Sequence, residues 1–257
     1  MLTLAHVSDI HIGGSEESVQ RAEAVVRHLA ALPGSVDAVV VTGDIADHGA
    51  AEEYEIARDL LKPLPYPMIV CPGNHDARPE FRKVLLGEET AAEGLPVNQV
   101  LRLPDATIAL CDSSIPGRPE GYLDDATLTW LDDILETSDT PVFVGMHHPP
   151  VPLGIPYVDE IALREPERLA RLLLRRNRSV AALLVGHAHT AASANFAGLP
   201  VRVAPGVIST ALLPTETNLR VPLSYDLPPA YSLHVFEPDG GRLITHSRPV
   251  FPAAQPR

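Results

Sequence analysis

The chain has 257 residues, of which 45% are hydrophobic and 21% charged, and its formal net charge is −13 at pH 7. These values predict one globular domain over residues 1–257 with a substantial core. The acidic balance argues against a nucleic-acid polymer as partner, because a polyphosphate would be repelled. No apolar run approaches the roughly 20 residues of a membrane span.

Two features bear on the compartment. Cys71 and Cys111 are the only cysteines, and both lie in or beside apolar, strand-like runs rather than in a disulfide framework. The N-terminus lacks a basic region, and Asp9 interrupts its apolar run too early for a signal peptide. We therefore expect a cytoplasmic protein.

The first part of the chain alternates β-type apolar runs with amphipathic segments. Hydrophobic periodicity predicts three strands and three helices, namely strands over 2–8, 39–44 and 68–71 and helices over 16–32, 51–61 and 79–86. Ser15 is the expected N-cap of the first helix, and Pro33 and Gly34 end it.

The later part changes from this alternation to hairpins. The same criteria predict strands over 98–103, 107–111, 141–146 and 180–185, helices over 125–136 and 167–176, and hairpins over 193–204 and 231–246. Prolines make 113–122 and 149–161 irregular, and 205–230 has no clear period. The pattern predicts an α/β protein with two sheets packed between helices.

Metal-type side chains follow five of the predicted strands. They are Asp9 and His11, Asp44, Asn74 and His75, His147 and His148, and His187 and His189. Carboxylate, imidazole and amide oxygen together suit Mn, Fe, Zn or Ni rather than calcium. Two such ions, roughly 3.5–4 Å apart, can clamp the attacking and leaving oxygens of an in-line phosphoryl displacement. Asp44, with two carboxylate oxygens, is the natural bridge between them.

Each segment has an ordinary structural alternative when it stands alone. Gly43-Asp44 is commonly a strand-to-loop turn, and Gly73-Asn74-His75-Asp76 could be an Asx-type turn. The pair His147-His148 could be one buried and one exposed ring. Their joint occurrence in this order, each after a predicted strand, favours a metal site.

The order of these motifs resembles the calcineurin-like metallophosphoesterase superfamily. Three longer segments resemble its class III cyclic nucleotide phosphodiesterases: Thr42-Gly43-Asp44-Ile45-Ala46-Asp47-His48-Gly49, Gly121-Tyr122-Leu123-Asp124 and Met146-His147-His148-Pro149-Pro150. The resemblance covers residues 1–205 and, more loosely, the C-terminal hairpin. It implies a four-layer αββα sandwich of two mixed sheets flanked by helices, with 205–257 as a cap and hairpin extension of the same domain.

The resemblance also implies a role for each motif residue. One metal ion would be held by Asp9, His11, Asp44 and His189, and the other by Asp44, Asn74, His147 and His187. His75 and Asn74 would contact the substrate phosphate, and His75 would protonate the leaving oxygen. Asp47 would orient His75, and His148 would lie behind the ligands or face the substrate.

The implied function is hydrolysis of small phosphodiesters by a hydroxide held between two divalent or trivalent transition-metal ions such as Mn, Fe or Zn. Cyclic 3′,5′-nucleotides such as cAMP are the first choice of substrate. The alternative within enzymes is a glycerophosphodiesterase or a broad phosphodiesterase of small molecules. A catalytically inert binding scaffold is the rival from a different class, and it predicts damaged ligand positions, whereas the implied ligands and His75 are intact.

Specificity is expected in the loops over the strand ends, which are 113–122, 149–161 and 205–230. The last of these carries apolar residues, namely Leu212, Leu213, Leu219 and Leu223. They could either close the pocket or form the surface of a homodimer.

Overall fold

The protein is described by a computed structural model over residues 1–88, 94–177 and 179–251. Its first part contains β1 (Leu2–Val7), α1 (Ser18–Ala30), β2 (Ala38–Thr42), α2 (Ala51–Leu61), β3 (Met68–Cys71) and α3 (Arg78–Phe81). The middle part contains β4 (Gln99–Arg102), β5 (Thr107–Leu110), α4 (Asp125–Thr137), β6 (Val142–Met146), α5 (Pro156–Asp159), α6 (Pro166–Arg176), β7 (Val180–Val185), β8 (Ala192–Phe196) and β9 (Leu199–Val203). The last part contains β10 (Thr210–Ala211), β11 (Leu223–Ser224), β12 (Ala230–Glu237) and β13 (Arg242–Pro249).

The strands form two mixed sheets and a short hairpin. The first sheet has the order β13-β12-β1-β2-β3 and the second has the order β4-β5-β6-β7-β9-β8. The strands β1, β2 and β3 are parallel neighbours, as are β5, β6, β7 and β9. The remaining pairs are antiparallel, so the parallel strands occupy the centre of the second sheet and one side of the first, where β3 is the edge strand.

The central strands are buried on both faces. In β2, Val40 belongs to the core between the two sheets, whereas Val39 and Val41 belong to the core under the helices. This double burial explains why β2 reads as a continuous apolar run rather than an alternating one. Phe143 of β6 meets Phe236 of β12 edge to face across the inter-sheet core, with ring centroids 5.1 Å apart.

Helices cover the outer faces of both sheets. Leu29 of α1 and Leu61 of α2 pack in the core of the first sheet. Leu131 of α4 and Leu173 of α6 pack in the core of the second sheet. The layers therefore run helix, sheet, sheet, helix, and the predicted α/β class and four-layer arrangement are confirmed.

Three local features differ from the sequence predictions. Helix α1 begins at Ser18 rather than residue 16, because Ser15 closes a turn whose carbonyl accepts the Ser18 amide and hydroxyl. The segment 149–161, predicted to be irregular, contains the one-turn helix α5, which Pro156 starts in its first position. Helix α3 continues into a π-helical turn over Arg82–Leu86.

Within the described ranges, no helix has both the length and the apolar character that crossing a bilayer requires. Both cysteines, Cys71 and Cys111, are buried free thiols, as the sequence predicted. A single domain over residues 1–257 stays a prediction, and residues 252–257 of the predicted extension 205–257 lie outside the described residues.

Candidate metal centre

The predicted ligands meet where the parallel strands of both sheets end. Asp9 and His11 follow β1, Asp44 follows β2, and Asn74 follows β3. His147, His187 and His189 follow β6 and β7 of the second sheet. Because the sheets pack face to face, these carboxyl ends adjoin, and the structure brings all seven predicted ligands together.

Five of these residues have a left-handed backbone: Asp9, His11, Asp44, His187 and His189 have φ values of 56°, 48°, 49°, 66° and 51°. This conformation is uncommon outside glycine and costs ~1–3 kcal/mol per residue, so the surrounding structure must impose it. Gly43, at φ 88°, allows the ring of His147 to lie against the backbone of the β2 loop. A Cβ at this position would lie only 2.6 Å from Nδ1 of His147.

One group of donor atoms contains Asp9, His11 and His189, whose ligand atoms all lie within 4.8 Å of one another. Nε2 of His189 lies 3.3 Å from Nε2 of His11 and 3.6 Å from Oδ1 of Asp9. Nε2 of His11 lies 3.4 Å from Oδ2 of Asp44. This group matches the first predicted ligand set.

The second group surrounds Nε2 of His147. This nitrogen lies 3.2 Å from Oδ2 of Asp44, 3.2 Å from Oδ1 of Asn74 and 3.1 Å from Nδ1 of His187. The group matches the second predicted ligand set. Oδ2 of Asp44 therefore lies between both groups, whereas its Oδ1 accepts a hydrogen bond from the backbone N–H of His75. A bridge through Asp44 would use one carboxylate oxygen rather than two.

Hydrogen bonds on the far side of the rings fix which nitrogen faces inward. Nδ1 of His147 donates to the carbonyl of Thr42 at 2.7 Å, and Nδ1 of His11 faces Oδ1 of Asp47 at 2.8 Å. Nδ1 of His189 pairs with the hydroxyl of Ser209 at 2.8 Å. Each Nε2 is thus left without its proton and points its lone pair inward, because hydrogen bonds of this kind fix the tautomer and orientation of metal-binding histidines.

These inward atoms fit metal ions because they have little else to bind. A bare Nε2 of His147 faces two acceptor oxygens, and such an arrangement is repulsive without a cation or proton between the atoms. Among them, Oδ2 of Asp9 is buried and has no hydrogen-bond partner in the described part of the chain. A carboxylate, imidazole and amide set of this kind suits transition-metal ions.

Burial and neighbouring charges shift the pKa values of the cluster in different directions. Burial opposes protonation of His147, yet the charges of Asp44 and Asp9 raise the pKa of its ring to about 9. Burial likewise opposes ionisation of Asp44, but His147 and His11 hold the pKa of its carboxyl well below the ordinary value. In the same cluster, burial lowers the pKa of His189 to about 4, which keeps this ring neutral and able to ligate.

The predicted acid, His75, lies beside the cluster on the cleft surface. Its Nδ1 donates to the backbone carbonyl of Asp47 at 2.8 Å, and its side chain is 41% exposed. The carboxylate of Asp47 is 3.7 Å from this nitrogen and instead bonds His11. Asp47 therefore orients His75 through its carbonyl, whereas its carboxylate orients a predicted ligand.

His148 has no nitrogen free for a metal ion. Its Nε2 donates to the carbonyl of Pro119 at 3.1 Å, so its Nδ1 accepts from the hydroxyl of Ser113 at 2.8 Å. Burial, and then the charge of His147, lower the pKa of this ring to about 3. The neutral ring ties the loop 113–122 to the end of β6 and lies behind the predicted ligands.

Sequence reasoning missed three residues that hold the site together. Thr42 and Ser209 supply the oxygens behind His147 and His189, but a backbone carbonyl and a serine in an aperiodic segment give no local signal. Asp76 accepts the backbone N–H groups of Ile45, Ala46 and Gly73, and so joins the loops that carry Asp44 and Asn74. Its place in the Gly73-Asn74-His75-Asp76 segment could have indicated this role.

The cluster forms the floor of a cleft whose walls come from all three predicted loops. The floor includes His11, Asp44, Asn74, His75 and His189. The walls are mostly apolar and comprise Pro119, Tyr157, Val158, Ile161, Ile208, Ala211, Leu223 and Tyr225. Leu223 thus lines the cleft, whereas Leu212 and Leu219 line a neighbouring groove and Leu213 is exposed.

Comparison with known proteins places these features in a family. The model of the calcineurin-like phosphoesterase family matches residues 2–191. A probable cyclic nucleotide phosphodiesterase of Rhodococcus erythropolis is 34% identical over 226 residues, which are 84% of this chain and 74% of that protein. A glycerophosphodiester phosphodiesterase of Enterobacter lignolyticus is 34% identical over 218 residues, which are 80% of this chain and 78% of that protein.

Solved structures agree on the fold. A purple acid phosphatase from yellow lupin superposes with a TM-score of 0.64 at 14% identity, over 98% of this chain and 52% of the other. A Thermus thermophilus protein superposes with a TM-score of 0.57 at 18% identity, over 95% of this chain and 98% of the other. At such identities the likeness concerns the fold alone. The family match and the more similar relatives establish that this chain belongs to the calcineurin-like phosphoesterase family.

Proposed function

We propose that the chain is a metal-dependent phosphodiesterase that hydrolyses small phosphodiesters, preferably 3′,5′-cyclic nucleotides such as cAMP. Calcineurin-like phosphoesterases use divalent metal ions. The observation that carries the proposal is the pair of inward-facing donor groups that share Oδ2 of Asp44. Relatives named as cyclic nucleotide phosphodiesterases, 34% and 33% identical to this chain, support the choice of substrate.

The proposed ligands divide into two sets, Asp9, His11, Asp44 and His189 for one ion and Asp44, Asn74, His147 and His187 for the other. When bound, two such ions would draw charge from the phosphoryl oxygens and activate water for in-line attack. The protein contributes a rigid frame, since strand ends and outer hydrogen bonds fix each ring before substrate arrives.

His75 and Asn74 act on the substrate itself. With Nδ1 of His75 donating to the carbonyl of Asp47, its Nε2 is the nitrogen left to give a proton to the leaving oxygen. The carbonyl oxygen of Asn74 faces His147, which leaves its amide N–H groups to donate to a phosphoryl oxygen.

Finer points of the proposal rest on chemistry and composition. The ions are Mn, Fe, Zn or similar, because the donor set accepts several transition metals. The substrate is a small molecule rather than a nucleic-acid polymer, given the net charge of −13. The protein acts in the cytoplasm as one domain over residues 1–257. Part of the segment 205–230 lines the cleft, and its exposed part is the surface through which a homodimer would form.

A second candidate activity is hydrolysis of glycerophosphodiesters. Relatives named as glycerophosphodiester phosphodiesterases match this chain nearly as well as the cyclic nucleotide enzymes do, at 34% and 31% identity. Both activities need the same metal-binding floor of the cleft. The residues of the cleft walls must therefore determine which of the two substrates is preferred.

A substrate panel tests the proposal. Protein supplied with Mn²⁺ is assayed on 3′,5′-cyclic AMP, 2′,3′-cyclic AMP, a glycerophosphodiester and a phosphomonoester, with chelator-treated protein as the control. The expected result is the highest kcat/KM on 3′,5′-cyclic AMP and loss of turnover after chelation. A higher kcat/KM on the glycerophosphodiester would select the second candidate, and turnover of the monoester alone would refute both.

A further inference from the structure

The cleft above the metal centre has a polar floor and an apolar outer wall. The outer wall consists of Tyr157, Val158, Ile161, Ile208, Ala211, Leu223 and Tyr225. Neither lysine nor arginine is among the residues that line this cleft in the described ranges. The part of a substrate that is attached to the phosphate and lies along this wall therefore contacts aliphatic side chains and two phenol rings. Among the described residues, it contacts no positively charged side chain there.

The two tyrosines lie in different loops. Tyr157 belongs to α5, and Tyr225 follows the two-residue strand β11. Tyr225 is 50% exposed, although it lines the cleft. A half-exposed tyrosine that lines a cleft provides an aromatic ring on which a flat ring can stack, at little cost in conformational entropy.

A buried arginine fixes the position of Tyr225. Arg21 of α1 is 8% exposed, and its guanidinium donates to three carbonyls of the C-terminal segment. These are the carbonyls of Val207 at 2.9 Å, Tyr225 at 3.2 Å and Leu227 at 2.8 Å. Because breaking these bonds would leave a buried charge without partners, the segment that carries Tyr225 is held in place.

We propose that Tyr157 and Tyr225 form a binding site for a nucleobase, which makes a nucleoside the recognised part of the substrate. This inference rests on the proposed phosphodiesterase function, because the phosphate must lie on the metal floor for the base to reach the wall. The base stacks on phenol rings and contacts aliphatic side chains. The only polar side-chain groups on this wall are the tyrosine hydroxyls. Few hydrogen bonds can therefore form to the edge of the base, and adenine and guanine bind with similar affinity.

A quaternary ammonium group is the other ligand that aromatic rings attract. Here the two tyrosines are accompanied by aliphatic residues, and the carboxylates of the cleft, Asp44 and Asp47, belong to its metal end. Among the described residues that line the cleft, the wall thus lacks the closed set of aromatic faces that favours a cation. This composition favours a neutral planar ring over choline.

Ligand binding tests the site without turnover. Binding of AMP and of ribose 5-phosphate to the Mn²⁺-supplied protein is measured by calorimetry, since the two differ only in the base. AMP should bind ~5–150-fold more tightly, the range expected for one base stacked on an aromatic ring. The Tyr225→Ala and Tyr157→Ala variants should lose most of this difference, whereas Tyr225→Phe should keep it.

Matched controls separate the site from general damage. Leu219→Ala alters an exposed residue of the same segment outside the cleft and should leave the ratio of the two affinities unchanged. Equal binding of AMP and ribose 5-phosphate to the parent protein would overturn the proposal, even if an alanine variant failed to fold. An alanine variant that folds and keeps the parent ratio would also overturn it.

Kinetics distinguish failure of this site from failure of the proposed function. In the parent, kcat/KM on cyclic AMP and cyclic GMP should agree within about tenfold, and Tyr225→Ala should lower both by raising KM. A loss confined to glycerophosphocholine would assign the wall to a cation and overturn the proposal. If the parent turns over no phosphodiester, the proposed function fails, and the AMP comparison still decides whether the wall binds a base.

Discussion

Oδ2 of Asp44 lies 3.2 Å from Nε2 of His147, although the two residues follow strands of different sheets. The contact exists only because β2 and β6 end side by side when the sheets pack face to face. The candidate metal centre is thus a product of the inter-sheet core, and neither sheet contains it alone. Substitutions at this junction should act on both proposed ions at once.

The Asp44→Asn variant tests the shared carboxylate. Loss of its charge should weaken both ions and lower kcat by ~10³-fold or more, because several kcal/mol of charge stabilisation depend on them. Metal content by mass spectrometry and turnover of a phosphodiester measure the effect. Asp59→Asn, at an exposed position on α2, is the matched control and should change neither quantity. Near-parental turnover in Asp44→Asn would contradict the bridging role.

The His75→Ala variant tests the proposed acid. It should retain both ions, because the ring lies on the cleft surface and outside both ligand sets. It should slow an ester with a poor leaving group by ~10²–10⁴-fold and an ester with a good leaving group much less. A series of phosphodiesters with leaving groups of different pKa measures this. Equal slowing across the series would argue against proton donation by His75.

The Ser209→Ala variant tests the support behind a proposed ligand. Removing the hydroxyl leaves Nδ1 of His189 without its partner at 2.8 Å and frees the ring to turn. Loss of a hydrogen bond behind a metal-binding histidine costs ~10–100-fold in metal affinity or activity. The affinity is measured by competition with a chelator. Ser224→Ala, outside both proposed ligand sets and the cleft lining, provides the control. Unchanged affinity in Ser209→Ala would show that packing alone holds His189.

Acid should destabilise the fold through a histidine pair in the inter-sheet core. His6 and His234 hydrogen-bond to each other at 3.1 Å between β1 and β12. Burial lowers the pKa of His234 to about 3, and burial with the charge of His234 lowers the pKa of His6 well below its ordinary value. At these two rings the unfolded chain therefore binds more protons than the folded one between pH 6.5 and pH 3, so their contribution to stability falls as the pH falls.

The His234→Gln variant measures this contribution. When the pH falls from 6.5 to 5, the free energy of unfolding should decrease by ~2 kcal/mol more in the parent than in the variant. This value follows from ~1.4 kcal/mol for each extra proton bound by the unfolded chain over each pH unit. Urea unfolding at both values, in a chelator so that loss of metal does not contribute, gives the difference. His246→Gln, on an exposed ring of β13, should keep the parental pH dependence. An equal loss in parent and His234→Gln would contradict the assignment.

Much of this architecture was predictable from the sequence. The β2 segment is buried at every position and apolar over residues 38–41, because both of its faces are buried, and the polar residues after each strand mark the functional edge. The order of the motifs predicted the family and the α/β sandwich, and both are confirmed. The structure also brings the seven predicted ligands together, because parallel neighbours have their carboxyl ends at one edge, and their division between two ions stays a proposal.

Other features could not be predicted because they depend on tertiary contacts. The division of labour in Asp47, with its carboxylate on His11 and its carbonyl on His75, follows from how the β2 loop turns. The role of Arg21 depends on three carbonyls about 200 residues away in the chain, and no periodicity in α1 points to them. The helix α5 is a single turn, too short for a hydrophobic pattern to appear.

Anomalous diffraction from crystals of the Mn²⁺-loaded protein tests the central claim most directly. The account predicts two peaks roughly 3.5–4 Å apart, both within bonding reach of the carboxylate of Asp44. One peak should adjoin His11 and His189, and the other should adjoin His147 and Asn74. A single peak away from Asp44, or none in the cluster, would contradict the account.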